Sequence, residues 1–256
     1  VSVSSLRADS VGEVLIERLA RSGHKTISIA PEAGSERLRA VINKGIAEAD
    51  ILRAADMVFG HGIPNLKLYF IIGLPTETRE DVEAIITLTE KVREIQLKHA
   101  RPAGRIGRIT LSVNSFIPKP FTPFQWEPME RVESLNKKLR FLEKAVRKIG
   151  NTNLIHDLPK WGFAQALLSR GDRQVGRLIK AVHEKDGDWK GAAKELNMDT
   201  DFYVTRRRAF TEVLPWDFID IGVRKDYLMD EYQRALEGKY TPPCKVGICK
   251  TCGVCK

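Results

Sequence analysis

All four cysteines of the 256-residue chain stand in its last stretch, "PPCKVGICKTCGVCK", at Cys244, Cys249, Cys252 and Cys255. Thiolates are nucleophiles and metal ligands, and four of them in Cys-x4-Cys-x2-Cys-x2-Cys spacing can converge on one ion or cluster, with Gly253 easing the turn between the last two. The spacing admits three readings: an auxiliary iron–sulfur cluster, a structural zinc ion held by four thiolates, or unliganded or redox-paired thiols. Its Cys-x4-Cys-x2-Cys portion shares a local spacing with plant-type ferredoxins. The histidines, His24, His61, His99, His156 and His183, are scattered and carry no ligand motif. Ordinary surface or core roles are expected of them.

A second set of chemically apt residues falls where strands are expected to end. In "IAPEAGSERLRAVINKG" Glu32 follows a strand-like run, Gly34 lets the backbone turn, and Ser35 can cap the next helix. A carboxylate at Glu32 can accept hydrogen bonds from sugar hydroxyls or an amino group. The plainer alternative is an acidic residue favoured at a helix N-terminus. In "IIGLPTET", Gly73 removes a side chain where a ligand could approach the backbone, and Pro75 stiffens the exit. In "SVNSFIPKPFTPF", Asn114 and Phe116 end another strand-like run. Each of these alone is ordinary turn chemistry.

The elements that must position these residues alternate. "VSVSSL" is strand-like, and "DSVGEVLIERLARSG" reads as a helix with a Ser10–Glu13 capping box. The strand "KTISIA" leads to helices over about Ser35 to Asn43 and Ala47 to Gly60. "LKLYFII" reads as a strand buried on both faces of a parallel sheet. Thr78 and Asp81 box the start of a long helix to about His99, and "RITLSVNSF" is the fourth strand. This rhythm predicts right-handed crossovers and a parallel sheet, with functional loops at the carboxyl ends of the strands. After the proline-rich "PKPFTPFQWEP" the pattern becomes helical: about Pro128 to Ile149, Pro159 to Arg170, Arg173 to Glu184, Trp189 to Leu196 and Asp226 to Glu237, with only "NTNLIH" strand-like. Three regions are expected: 1–126, a mostly helical 127–240, and the cysteine-rich 241–256.

Composition sets the outer limits. At 43% hydrophobic residues the chain can bury a sizeable core, and it has no continuous apolar run long enough for a membrane span. With no signal peptide evident, a cytoplasmic protein without disulfides is the expectation, and no membrane partner is expected. The net charge of +9 is spread along the chain; its densest run, "TRRRAF" at Thr205 to Phe210, could touch RNA or simply line solvated helix faces. The chain does not begin with Met, and it reads as a segment of a longer protein.

Taken together and in order, "SSLRADS", "IAPEAGSERLRAVINKG", "LKLYFIIGLPTET" and "SVNSFIPKPFTPF" resemble the radical S-adenosylmethionine superfamily. They look like the third to sixth strands of its partial (β/α)6 barrel, closest to the branch in which a cobalamin-binding domain often precedes the barrel. The later "LSRGDRQVGRLI" and "LPWDFIDIGVRKDYL" look like the carboxyl-terminal part of an uncharacterised subgroup. The expected fold is therefore α/β: a truncated TIM-like barrel of four strands, a helical domain and a cysteine-rich tail. The resemblance implies S-adenosylmethionine as cofactor and a [4Fe–4S] cluster that cleaves it to a 5′-deoxyadenosyl radical. Cobalamin is a further cofactor of this branch, and a flavodoxin or ferredoxin would be the reductant.

By position, the resemblance assigns Glu32 to the ribose or amino group, with Ser35 beside it. It assigns Ile71 and Gly73 to the adenine wall, and Asn114 to Phe116 to reading the adenine edge. Arg7 and Lys44 are candidates for the methionine carboxylate, with surface salt bridges as the alternative. The CxxxCxxC loop of that family is not in this chain, so the radical cluster's ligands are expected upstream and no catalytic residue is assigned here. Two other functions are weighed against it. One is a tRNA methylthiotransferase-like enzyme, disfavoured by a helical region where that group has a small β-barrel. The other is a non-catalytic electron-transfer or nucleic-acid-binding module built on the tail.

Overall fold

A computed structural model describes residues 4–104 and 106–255. The chain forms two compact units. The first comprises the chain up to Ser115 with Glu133–Asp157 and Ala235–Tyr240; the second comprises Phe116–Val132, Leu158–Arg234 and the chain from Thr241.

In the first unit, helices α1 (Glu13–Arg21), α2 (Glu36–Val41), α3 (Glu48–Gly60), α4 (Arg79–Ala103) and α5 (Val132–Val146) alternate with strands β1 (Thr26–Glu32), β2 (Asn65–Ile72), β3 (Ile109–Ser115) and β4 (Thr152–His156). All neighbouring strands pair in parallel, in the order β1-β2-β3-β4. The sheet is the one the strand–helix rhythm demands, since parallel neighbours can be joined only by long crossovers. Helix α3 packs on β1 and β2, and α4 packs on α3.

The strand pattern explains the two faces. In β2, Leu66, Leu68, Phe70 and Ile72 are buried while Lys67, Tyr69 and Ile71 are half-exposed. Burial of each large apolar side chain contributes about 1.5–3 kcal/mol, so this face holds the sheet to its helices. The expectation that β2 is buried on both faces is corrected: its side chains alternate, as period-2 geometry allows. The other face carries cross-strand rows, including Ser28–Lys67–Thr110–Asn153.

Several local expectations change. Val1, Ser2 and Val3 of the "VSVSSL" strand lie outside the described residues, and Leu6 makes a single parallel bridge to Ile29. The Ser10–Glu13 capping box does not form. Ser10 closes a 3-10 turn and its hydroxyl donates to the Arg7 carbonyl at 3.1 Å, while Gly12 occupies the N-cap of α1. "NTNLIH" is β4, paired with β3. Helix α4 continues past His99 to Ala103, and its Thr78–Asp81 start is as predicted: the Thr78 amide donates to Asp81 at 2.8 Å.

The second unit is helical, with α6 (Pro159–Arg170), α7 (Arg173–Glu184), α8 (Trp189–Glu195), α9 (Thr200–Val204) and most of α10 (Lys225–Leu236). The short α9 had no counterpart in the sequence reading; Asp199 caps it by accepting from the Asp201 amide. Buried Arg170 organises this unit. Its guanidinium donates to the carbonyls of Tyr203 at 2.9 Å, Arg206 at 3.1 Å and Glu127. Burial, with Arg208 and Arg206 nearby, pushes its pKa down to about 10. Among the described residues no helix is long and apolar enough to cross a membrane.

Candidate functional site

The carboxyl end of β1 departs from regular pairing. The register shifts between Ile29 and Glu32, and Glu32 has φ 67°, a left-handed conformation that costs a non-glycine residue roughly 1–2 kcal/mol. Such a bulge re-aims the side chain that follows it. Lys44, from the loop after α2, places Nζ 3.1 Å from Glu32 Oε1, both groups being largely withdrawn from water. Arg7 donates to the Lys44 carbonyl at 3.0 Å and pairs with Asp9 at 2.8 Å, whose hydrogen bond raises the Arg7 pKa. Arg7, Glu32 and Lys44 are thus brought together, although both cations already have carboxylate partners.

Two interior arginine and aspartate contacts hold this loop. Arg39, fully buried, donates to the carbonyls of Ala33 and Gly34 at 3.0 Å and of Ile46 at 2.8 Å. Burial lowers its pKa. Asp81, at the start of α4, accepts from the Ser35 hydroxyl and from Arg37. Burial pushes the Asp81 carboxyl up, but Arg37, Ser35 and the Thr78 amide and hydroxyl together hold it below the usual carboxylate range. The Ser35 hydroxyl also accepts from the Leu38 amide at 3.1 Å, so it is spent on capping α2 and on Asp81. Gly34 lies so close to α4 that a Cβ would stand 2.3 Å from the Ile85 nitrogen.

The next two strand ends lie alongside. Ile71 is paired with Asn114 across β2 and β3, and no hydrogen bond engages the Asn114 side-chain amide among the described residues. Gly73 has φ 78°, and its amide donates to Glu77 Oε1 at 2.9 Å; Lys138 Nζ meets the same oxygen at 2.6 Å. Glu32, Ile71, Gly73 and Asn114 therefore sit at successive strand ends in the first unit. Phe116 belongs to the second unit, where its ring meets Phe124 edge-on at 5.9 Å. The sequence reading did not single out Arg37, Arg39, Glu77 or Lys138 as supports of these loops. Only Asp81 was marked, as half of a capping box.

The residues present fit a nucleoside with an amino-acid tail: a carboxylate, an ammonium, a glycine with no side chain in the way, an aliphatic wall and an uncommitted side-chain amide. They do not supply an iron–sulfur site, because no cysteine lies in this unit.

The cysteine tail is held in turns within the second unit. The Cys249 amide donates to the Lys245 carbonyl at 2.9 Å, and Gly247 and Gly253 have φ 81° and 92°. Arg224 anchors the tail, its amide donating to the Cys252 carbonyl and its guanidinium to that of Thr251, both at 2.9 Å. Partial desolvation, then the neighbouring Cys249, Cys255 and Cys252, raise the Cys244 thiol; a hydrogen bond with Thr251 lowers Cys249. Among the described residues no three histidine, cysteine, aspartate or glutamate side chains are gathered as a metal cage. The "TRRRAF" arginines are engaged within their own unit: Arg206 with Glu212 at 2.7 Å, Arg207 with Glu127 at 3.0 Å, and Arg208 with the Arg170 carbonyl at 2.7 Å.

Comparison with known proteins finds two relatives and a partial match to one family. Over 179 residues, 70% of this chain and 37% of the relative, it is 40% identical to an uncharacterized protein of Methanocaldococcus jannaschii. Over 150 residues, 57% of this chain and 31% of the relative, it is 24% identical to an uncharacterized methyltransferase of Pyrococcus horikoshii. The chain spans about a third of the length of these curated relatives. Residues 1–89 match the Radical SAM superfamily, a span that contains Arg7, Glu32, Ser35, Lys44, Ile71 and Gly73 but not Asn114 or Phe116.

Proposed function

We propose that this chain is the S-adenosylmethionine-binding part of a radical enzyme, with the last strands of a partial barrel in its first unit. The observation that carries this reading is the alignment of Glu32, Ile71, Gly73 and Asn114 at adjacent strand ends, the first three inside the matched span.

When bound, S-adenosylmethionine and a [4Fe–4S] cluster ligated from outside this chain would supply radical chemistry at an unreactive C–H bond. The residues of this chain bind and orient. Glu32 accepts hydrogen bonds from the ribose hydroxyls or the amino group, and Lys44, paired with it, offers its remaining N–H donors to the methionine carboxylate. Arg7 holds the Lys44 backbone. Ile71 and the backbone of Gly73 flank the adenine, and Asn114 reads its edge. Calorimetric titration of the intact protein with S-adenosylhomocysteine tests this: binding in the wild type, lost in Glu32→Ala, supports it, and equal binding by both overturns it.

The cysteine tail is proposed to close on an auxiliary iron–sulfur cluster, with zinc as the competing occupant; its spacing and its glycine-containing turns support a metal site. Methyl transfer is a second reading of the overall reaction, favoured by the name of the P. horikoshii relative. Cobalamin and a flavodoxin or ferredoxin reductant belong to the same proposal.

A further inference from the structure

We propose that the cleft at the amino end of the sheet in the first unit binds an oxyanion, the phosphate or carboxylate of a small-molecule substrate. The cleft holds about 480 Å³ and is lined by Lys67, Arg108, Thr26 and Thr110, with no acidic residue in its wall among the described residues. Lys67 is half-buried and forms no ion pair among the described residues; its ammonium instead lies 4.7 Å from the centre of the Tyr69 ring. An ammonium partly withdrawn from water without a carboxylate is costly, and an incoming oxyanion would complete it with charge-assisted hydrogen bonds. The cation–π contact offsets only part of that cost and fixes the ammonium in place.

Two members of one row across the sheet, Lys67 and Thr110, line the cleft. Lys67 is in register with Ser28 on one side and Thr110 on the other, and Thr110 with Asn153. The Thr110 hydroxyl donates to Asn153 Oδ1 at 2.7 Å, which commits that oxygen and leaves the Asn153 N–H groups as donors. Asn153 thus stands next to Thr110 along the row, and Arg108 lines the cleft with Lys67.

This row is four residues from the Ile71–Asn114 pair, or ~13 Å at the rise of a parallel strand. The placement suggests an elongated substrate anchored by its anionic end, with its reacting carbon near the strand ends. That last step rests on the nucleoside-binding reading; the anion site does not.

The test is calorimetry on the intact protein at low ionic strength with inorganic pyrophosphate as probe and succinate in parallel, to separate phosphate from carboxylate recognition. Saturable binding is expected, weakened about tenfold or more in Lys67→Met and largely kept in Lys67→Arg. Arg108→Met, an exposed substitution, is expected to give a smaller loss. Absence of saturable binding by either probe, or equal affinity in wild type and Lys67→Met, overturns the proposal. S-adenosylhomocysteine is titrated into the same samples. Its failure to bind the wild type would remove the nucleoside reading and leave the anion site standing, whereas the reverse pattern would remove only the anion site.

Discussion

The Lys44 ammonium lies 3.1 Å from a Glu32 carboxylate that is itself carried on a left-handed backbone with φ 67°. Charge pairing and backbone strain therefore act on one residue in opposite directions. Glu32→Ala keeps the strain and loses the pair, and is expected to lower stability by about 1 kcal/mol. Glu32→Gly also relieves the strain and is expected to match the wild type within about 1 kcal/mol. Both should weaken S-adenosylhomocysteine by about tenfold or more, since a hydrogen bond to a charged group is lost. Denaturant midpoints and calorimetry on the same samples separate the two effects; a Glu32→Gly protein that binds as the wild type does would remove Glu32 from the site.

Asp81 ties the β1–α2 loop to the start of α4. Its carboxyl is buried, yet Arg37, Ser35 and Thr78 hold it below the usual range, so the ionised form stabilises the fold. That contribution is complete above the unfolded carboxylate pKa of about 3.9 and is lost as the pH falls through the lower folded value. Asp81→Asn should cost about 2 kcal/mol at neutral pH. It should also flatten the acid side of the stability profile measured by urea unfolding. A variant whose stability falls with acidification as steeply as the wild type's would show that other groups set the profile.

Gly34 gives a steric prediction. A Cβ there would stand 2.3 Å from the Ile85 nitrogen and 2.6 Å from the Ala84 carbonyl carbon, both backbone atoms of α4. Gly34→Ala is expected to cost about 3 kcal/mol and to loosen the loop that carries Glu32. Unchanged thermal unfolding would mean that α4 yields at this contact.

For the cysteine tail, anaerobic purification followed by iron, sulfide and zinc analysis is decisive. The expected result is iron and sulfide that fall in a Cys249→Ser, Cys252→Ser double variant relative to the wild type. Equimolar zinc, with iron the same in both proteins, would give the tail to zinc.

Sequence and structure agree where a signal is local. Ser35 at the N-cap of α2, the Thr78–Asp81 start of α4, and the ranges of α6 and α7 follow from capping and 3.6-residue periodicity. The strand-end positions of Glu32, Gly73 and Asn114 were legible because strand-like runs give way there to turn residues. What was not legible depends on distant partners. Nothing near Arg39 says that its guanidinium will be buried against the carbonyls of Ala33 and Gly34, and nothing near Glu77 names Lys138, which is far along the chain. "NTNLIH" could be read as strand-like, but its neighbour β3 is supplied by topology alone. The apolar run of β2 concealed Lys67 and Tyr69 as members of a distinct face, because a strand buried on both sides and one that alternates look alike when aliphatic residues occupy both.

The most direct measurement uses the intact protein with its clusters reconstituted anaerobically, reduced with dithionite and incubated with S-adenosylmethionine, with 5′-deoxyadenosine quantified by chromatography. A radical enzyme forms 5′-deoxyadenosine, and Glu32→Ala sharply reduces it. No 5′-deoxyadenosine from fully reconstituted, reduced protein would contradict the assignment.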